Sequence, residues 1–265
     1  MGLGLVVYDV LYLTLAAALY GGAAAVSLWV RALLGGVSPY VAWPLALLAA
    51  LFALTFEVAV LSALCPRLVP GRYPMLKGRV FWGWLLRSML RRVLLLPGLK
   101  WVLFNSNVLR FCALRAMGAR VAFTASISSD VDLLDPSLIE IGPGAVLGSR
   151  CMLTAHYVQE GLLVLDAIRI GAGALLAGEV GLAPGVTVGE HALVKVRTSV
   201  NVRATIGPRA EVGPLAVIDA LATVGAEAKI GTGAYVPVRG VVPDGGRVEA
   251  FSSASSTTSK AAPAV

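Results

Sequence analysis

From Ile170 onward every sixth residue is Ile, Leu or Val for thirteen consecutive steps: Ile170, Leu176, Leu182, Val188, Val194, Val200, Ile206, Val212, Ile218, Val224, Ile230, Val236 and Val242. A second register, four residues past each anchor, is small or β-branched, from Ala174, Val180, Val186, Ala192 and Thr198 to Ala234 and Gly240. Residues two apart share one face of a strand, so each hexad supplies a short strand with one large and one small inward side chain. Gly often follows the anchor, as at Gly171, Gly189, Gly207, Gly213, Gly225 and Gly231, and is expected where the chain turns sharply. Hexads of this kind build a parallel β-helix.

An earlier stretch runs in the same style, with Ile141-Gly142, Leu147-Gly148 and Leu153 as large positions and Ala145 and Cys151 as small ones. Then the phase breaks. Leu153 and Ile170 are seventeen residues apart, one short of three hexads, so Thr154 to Arg169 leaves the repeat as a loop. Loops held on rigid scaffolds are common places for chemistry, and this one carries His156, one of two histidines in the chain.

The N-terminal part is of a different kind. Over 265 residues, a hydrophobic content of 57%, a charged content of 14% and a mean hydropathy of +0.81 point to segments in lipid. Val10 to Val30 carries no charge and is long enough to cross a bilayer. Tyr40 to Cys65, apolar except for Glu57, reads as a second span, which makes a hairpin. Asp9 ahead of the first apolar run, the lack of a basic leader and the immediate second span argue against a secretory signal. Carboxylates in or beside spans are costly and often functional, so Asp9 and Glu57 leave a transport role as a minor alternative.

Charge is unevenly divided. No Asp or Glu occurs between Val58 and Ser129, yet eleven of the 22 Lys+Arg residues fall there, from Arg67 to Arg120. This basic excess beside a span places that side in the cytoplasm. Its cations alternate with Trp82, Trp84, Leu85, Leu90, Trp101 and Phe111, a pattern for amphipathic helices lying on anionic headgroups. Nucleic-acid binding is not expected, since no recognition motif accompanies the patch. Four segments follow: two transmembrane helices in 1–66, basic juxtamembrane helices in 67–120, the β-helix in 121–250 and a Ser/Thr/Ala-rich disordered tail in 251–265. Cys65, Cys112 and Cys151 have no metal-ligand or disulfide spacing and read as packing residues.

His156 is the leading candidate for chemistry, as an imidazole that can take a proton near neutral pH. Glu160, four residues on, is the first choice for the carboxylate that orients it, with Asp166 and Asp135 as rivals. Tyr157 is a substrate-binding candidate. Lys195, Arg197 and Arg203 on successive hexads could form a basic ridge for a phosphate-bearing donor, while His191 sits at a turn position and is expected to be inert. No P-loop, dinucleotide fingerprint or zinc motif occurs, and no metal is expected.

The hexads resemble the left-handed β-helix of hexapeptide-repeat acyltransferases, an exception to right-handed crossovers. The runs GRYPMLKGRVFWGW, LRAMGARV, DPSLIEIGPGAVLGSRCMLTAHYVQEGLL and IRIGAGALLAGEVGLAPGVTVGEHALV, spread over about 70–194, resemble more narrowly the membrane-bound C-terminal region of nonribosomal-peptide-synthetase-like proteins of the ε-poly-lysine synthetase type. The resemblance implies transfer of an acyl group from a thioester, on acyl-CoA or a carrier protein's phosphopantetheine, to an amine or hydroxyl. His156 would be the general base, with no tightly bound cofactor and with backbone N–H groups for the oxyanion. It also implies a homotrimer. The expected whole is a multi-pass cell-membrane enzyme in contact with membrane lipids, its β-helix domain cytoplasmic. The competing class is a membrane-tethered β-helix scaffold without catalysis, indifferent to loss of His156. A γ-class carbonic anhydrase shares the coil but needs three zinc-binding histidines, and this chain has two.

Overall fold

The computed structural model describes residues 2–254. Helices α1 (Gly2–Leu33) and α2 (Pro39–Leu64) form an antiparallel hairpin, and both are long and apolar enough to cross a membrane. Their outer faces leave Leu28, Trp29, Leu47 and Phe56 exposed. Between them Glu57 lies against Gly22, where an added Cβ would run into the carboxylate.

A strand at Gly71–Pro74 is followed by α3 (Gly78–Leu94), α4 (Pro97–Asn105) and α5 (Asn107–Ala116). These helices pack into the core of the protein. Phe81, Leu90, Val93, Leu94, Leu103, Phe104 and Leu114 are buried in one cluster that runs from α1 and α2 into the first coil of the repeat. Several cations turn inward with them. Arg110 is buried and donates to the carbonyls of Ile127 (2.8 Å) and Ala125 (3.2 Å), filling backbone acceptors where the coil begins. Burial holds its guanidinium below the ordinary arginine range.

The remainder is a parallel β-solenoid of about seven coils with three faces. Seven short strands stack on the first face, from Arg120–Val121 to Val241–Val242. Seven stack on the second, from Ser126–Ile127 to Arg247–Val248, and six on the third, from Asp132–Leu133 to Tyr235–Val236. Paired residues are eighteen apart in the regular coils, as Arg169 with Thr187 and Thr187 with Thr205, which is three hexads per turn. All thirteen anchors point inward, none more than 3% exposed. Thr198, the one hydroxyl at a small inward position, gives its proton to the Gly213 carbonyl at 2.9 Å, so its burial leaves no donor unmet.

The glycines after the anchors have a different cause from the one the sequence suggested. A Cβ at Gly171 would stand 2.6 Å from the backbone nitrogen of Glu190, and one at Gly189 would stand 2.5 Å from that of Pro208. They are small because the next coil passes over them. The sharp turn itself comes two residues later, in the left-handed region, and side chains occupy it: His191 (φ 56), Arg197 (φ 56), Arg203 (φ 57) and Arg209 (φ 55). Each costs about 1 kcal/mol against glycine, and its N–H is paired to the coil before, as His191 to Ala172 at 2.8 Å.

Ile206, fully enclosed in the middle of the stack, gives a direct test of this core. Ile206→Ala is expected to cost about 2–5 kcal/mol, through lost burial and the cavity left behind. Thermal unfolding of the purified protein measures it, and an unchanged midpoint would contradict the packing.

The segment Thr154 to Arg169 is more ordered than the loop expected of it. It forms an antiparallel hairpin of His156–Gln159 and Leu162–Leu165, and Gly71–Pro74 adds a third strand beside Leu162–Leu165. Leu163, Val164 and Leu165 are buried beneath it. The tail expected to be disordered from 251 lies, beyond Ala254, outside the described residues.

Candidate active site

The site arises where the repeat is broken twice at one corner. Between the third and first faces the usual spacing is six residues, but Leu133 and Ile141 are eight apart, and the extra length forms a short 3-10 turn at Pro136–Leu138. One coil later the same corner opens into the hairpin. Asp135 and His156 therefore come from stacked positions of successive coils.

Asp135 is only 5% exposed. Its Oδ2 lies 2.6 Å from His156 Nδ1 and accepts the Ala155 backbone N–H at 3.1 Å, while its Oδ1 accepts the indole N–H of Trp84 at 2.9 Å. With the carboxylate ionised, Nδ1 carries the proton and Nε2 is left with its lone pair. Among the described residues no group bonds to Nε2, and the side chain is 25% exposed. The Trp84 ring meets the imidazole edge-on, centroids 5.0 Å apart at 63°. Arg91, half-buried on α3, stands close by. Burial lowers its guanidinium from the ordinary range, and the Asp135 and Asp132 carboxylates draw it back up.

The structure corrects the choice of orienting carboxylate. Glu160 sits at the hairpin tip with φ 51, exposed, four strand positions beyond His156 on a chain that has already begun to reverse. Asp166 is engaged elsewhere, 2.6 Å from Arg203 Nε. Among the described residues only the Asp135 carboxylate reaches the imidazole.

The basic ridge does not form either. Lys195 follows a second-face strand and pairs with Glu211 at 2.5 Å, and Arg197 lies at the corner between second and third faces, 2.7 Å from Glu179. Arg203 alone lies on the His156 corner. Asp166 holds its guanidinium above the usual range, and the nearby Tyr157 phenol acts in the same direction. Tyr157, on the first hairpin strand, and Arg203 are thus the two substrate-binding candidates that share the edge of the dyad. His191 is exposed at a corner between first and second faces, its ring over Gly173. Cys151 is buried at a small inward position, its thiol toward the Ala177 carbonyl at 2.9 Å, and burial pushes that thiol above its ordinary range, which suits packing rather than attack. Among the described residues no cluster of three His, Cys, Asp or Glu side chains could hold a metal ion.

Trp84 was not legible as a site residue, because on α3 it reads as one more aromatic among cations. The signal for Asp135 was available: the two-residue excess before Ile141 is as much a break in the hexads as the longer one after Leu153.

No protein-family model matches the chain, and no curated protein matches it. Solved structures with similar coils include a hexapeptide transferase family protein from Anaplasma phagocytophilum, 18% identical over 49% of this chain and 73% of that one, with a TM-score of 0.42. Others are the acetyltransferase domain of PglB from Neisseria gonorrhoeae (20% identity, 56% and 65% of the two chains, TM-score 0.22) and PerB from Caulobacter crescentus, solved with CoA and GDP-perosamine (17%, 56% and 64%, TM-score 0.22). At such low identities and scores, no activity is carried over from them.

Proposed function

We propose that the protein is a membrane-anchored acyltransferase that moves an acyl group from a thioester, on coenzyme A or a carrier-protein phosphopantetheine, to an amine or hydroxyl. The observation that carries this is the His156–Asp135 pair, a partly exposed imidazole fixed by a buried carboxylate, its second nitrogen unpartnered among the described residues. Such an imidazole is equipped as a general base. Its Nε2 takes the proton of the acceptor N–H or O–H as that atom bonds to the thioester carbonyl carbon. The C–S bond then breaks, and the departing thiolate recovers the proton from the imidazolium. Amide or ester and free thiol result, with no covalent bond to the enzyme. In this reading Arg203 and Tyr157, beside the pair, would meet the donor or acceptor. Left-handed winding and a trimer belong to the same reading, through the hexad resemblance.

The test is thiol release by the purified protein, offered acyl-CoA and acyl-carrier protein in turn against a panel of lipids, amines and amino acids. Release that depends on an acceptor supports the assignment. Its absence with every pair would leave the scaffold reading in its place. Two substitutions serve as controls: Glu160→Gln and His191→Ala are each expected to keep turnover within about twofold, since neither side chain bonds to a member of the pair.

Anchoring rests on the apolar length of α1 and α2 and on the cation-rich segment that follows them. Both termini and the solenoid are then cytoplasmic, and the turn between the helices faces outward. In a background without its native cysteines, a cysteine placed at Gly36 should react with a membrane-impermeant maleimide added to intact cells, and one placed at Ser252 should not. The reverse pattern would invert the topology.

A further inference from the structure

We infer that Trp84 is a positioning residue for His156, so that the helical half of the chain supplies a working part of a site otherwise built by the solenoid. This rests on the acyltransferase reading above.

The Asp135 carboxylate divides its work between two oxygens. Oδ2 serves the imidazole and the Ala155 N–H, and among the described residues Oδ1 is bonded only to the indole N–H of Trp84. Trp is a donor only, so this contact has one sense. Without it, a nearly enclosed oxygen would lose its bond, which is costly, and the carboxylate would be free to turn about its own axis. The same indole packs edge-on against the imidazole, so one side chain restrains both members of the pair. It is itself held from behind, because Phe81, 2% exposed and one helical turn earlier, lies 5.9 Å away and tilted by 46°. The restraint runs from the helix core through Phe81 and Trp84 to Asp135 and then His156.

A second tie joins the same two parts. The strand Gly71–Pro74, which leads into α3, pairs with the second strand of the hairpin, Leu162–Leu165, and the Met75 N–H reaches the Gly161 carbonyl at 3.0 Å. A shift of α3 against the solenoid would therefore move both the carboxylate's anchor and the strand beside the histidine's hairpin.

The experiment uses the full chain in detergent or nanodiscs. Trp84→Phe keeps a ring against His156 but removes the donor. It is expected to lower kcat about tenfold, the worth of a hydrogen bond to a charged group, with KM unchanged. In an Asp135→Asn background the same change should cost less than about twofold, because its target is already altered. A merely structural tryptophan would cost the same in both backgrounds, and equal losses would overturn the inference. So would wild-type turnover in Trp84→Phe. A second measurement needs neither turnover nor the Phe variant's stability. The indole N–H resonance of Trp84 in the 15N NMR spectrum should move on Asp135→Asn substitution, and an unmoved resonance defeats the proposal. If the wild-type chain releases no thiol with any donor, the functional reading fails on its own, and the resonance still decides whether Trp84 holds Asp135.

Discussion

His156→Ala is expected to lower acyl transfer by roughly two to four orders of magnitude, the usual worth of a positioned general base. The fall should appear in kcat and in kcat/KM alike, because the imidazole acts when the acceptor's proton leaves rather than in donor binding. Folding should survive, since the side chain is partly in solvent, while the burial that fixes the hairpin comes from Leu163, Val164 and Leu165. Thiol release followed beside thermal unfolding separates the two effects. Undiminished turnover would remove His156 from the mechanism and the general-base role with it.

Asp135→Asn should have the second largest effect, about two to three orders of magnitude in kcat. The substitution keeps the shape of a buried group yet replaces an acceptor-only carboxylate with an amide that must choose which end to offer. If the amide oxygen turns to Trp84, its NH2 faces His156 Nδ1 and favours the tautomer with the proton on Nε2, where no acceptor proton can be taken. If it turns the other way, the amide NH2 meets the indole N–H, donor against donor. The first arrangement reverses the bond at 2.6 Å and the second loses the one at 2.9 Å. Steady-state kinetics on the variant, with its unfolding midpoint as a check, would show a kcat loss larger than that of Glu160→Gln. A loss no greater than that of Glu160→Gln would mean that the buried carboxylate orients nothing.

The sequence made the solenoid readable because its inward positions recur at a fixed spacing and each is constrained by volume alone. Ile170 and Ala174 have no freedom to be anything but large and small. His156 stood out for the same reason, as a residue at a discontinuity. The partner was harder. Asp135 and Glu160 are both acidic and both near a break, and their difference is a matter of which coil lies under which. That becomes visible only when Leu133 and Leu153 are seen stacked on one face. The role of α3 was harder still. Nothing in the local pattern around Trp84 distinguishes a side expected to meet lipid from a side that meets the first coils, because both would be apolar. The glycines after the anchors show the reverse case, with a correct residue pattern and a different cause: turn geometry accounts for Arg203 and His191, and clearance between coils accounts for Gly171 and Gly189.

The eighteen-residue register has a consequence for how this protein could be lengthened or shortened. Each coil touches only the ones directly above and below it, so the stack behaves as a chain of nearest neighbours. Joining residue 218 to 237, with 219–236 removed, would bring a third-face strand to the corner that leads to the first-face strand Val241–Val242, and every inward position would keep its side. The dyad lies near the opposite end, beneath the helices. Distance along the stack would insulate it, and the C-terminal coils would be free to change in number while the chemistry stays where the helices hold it.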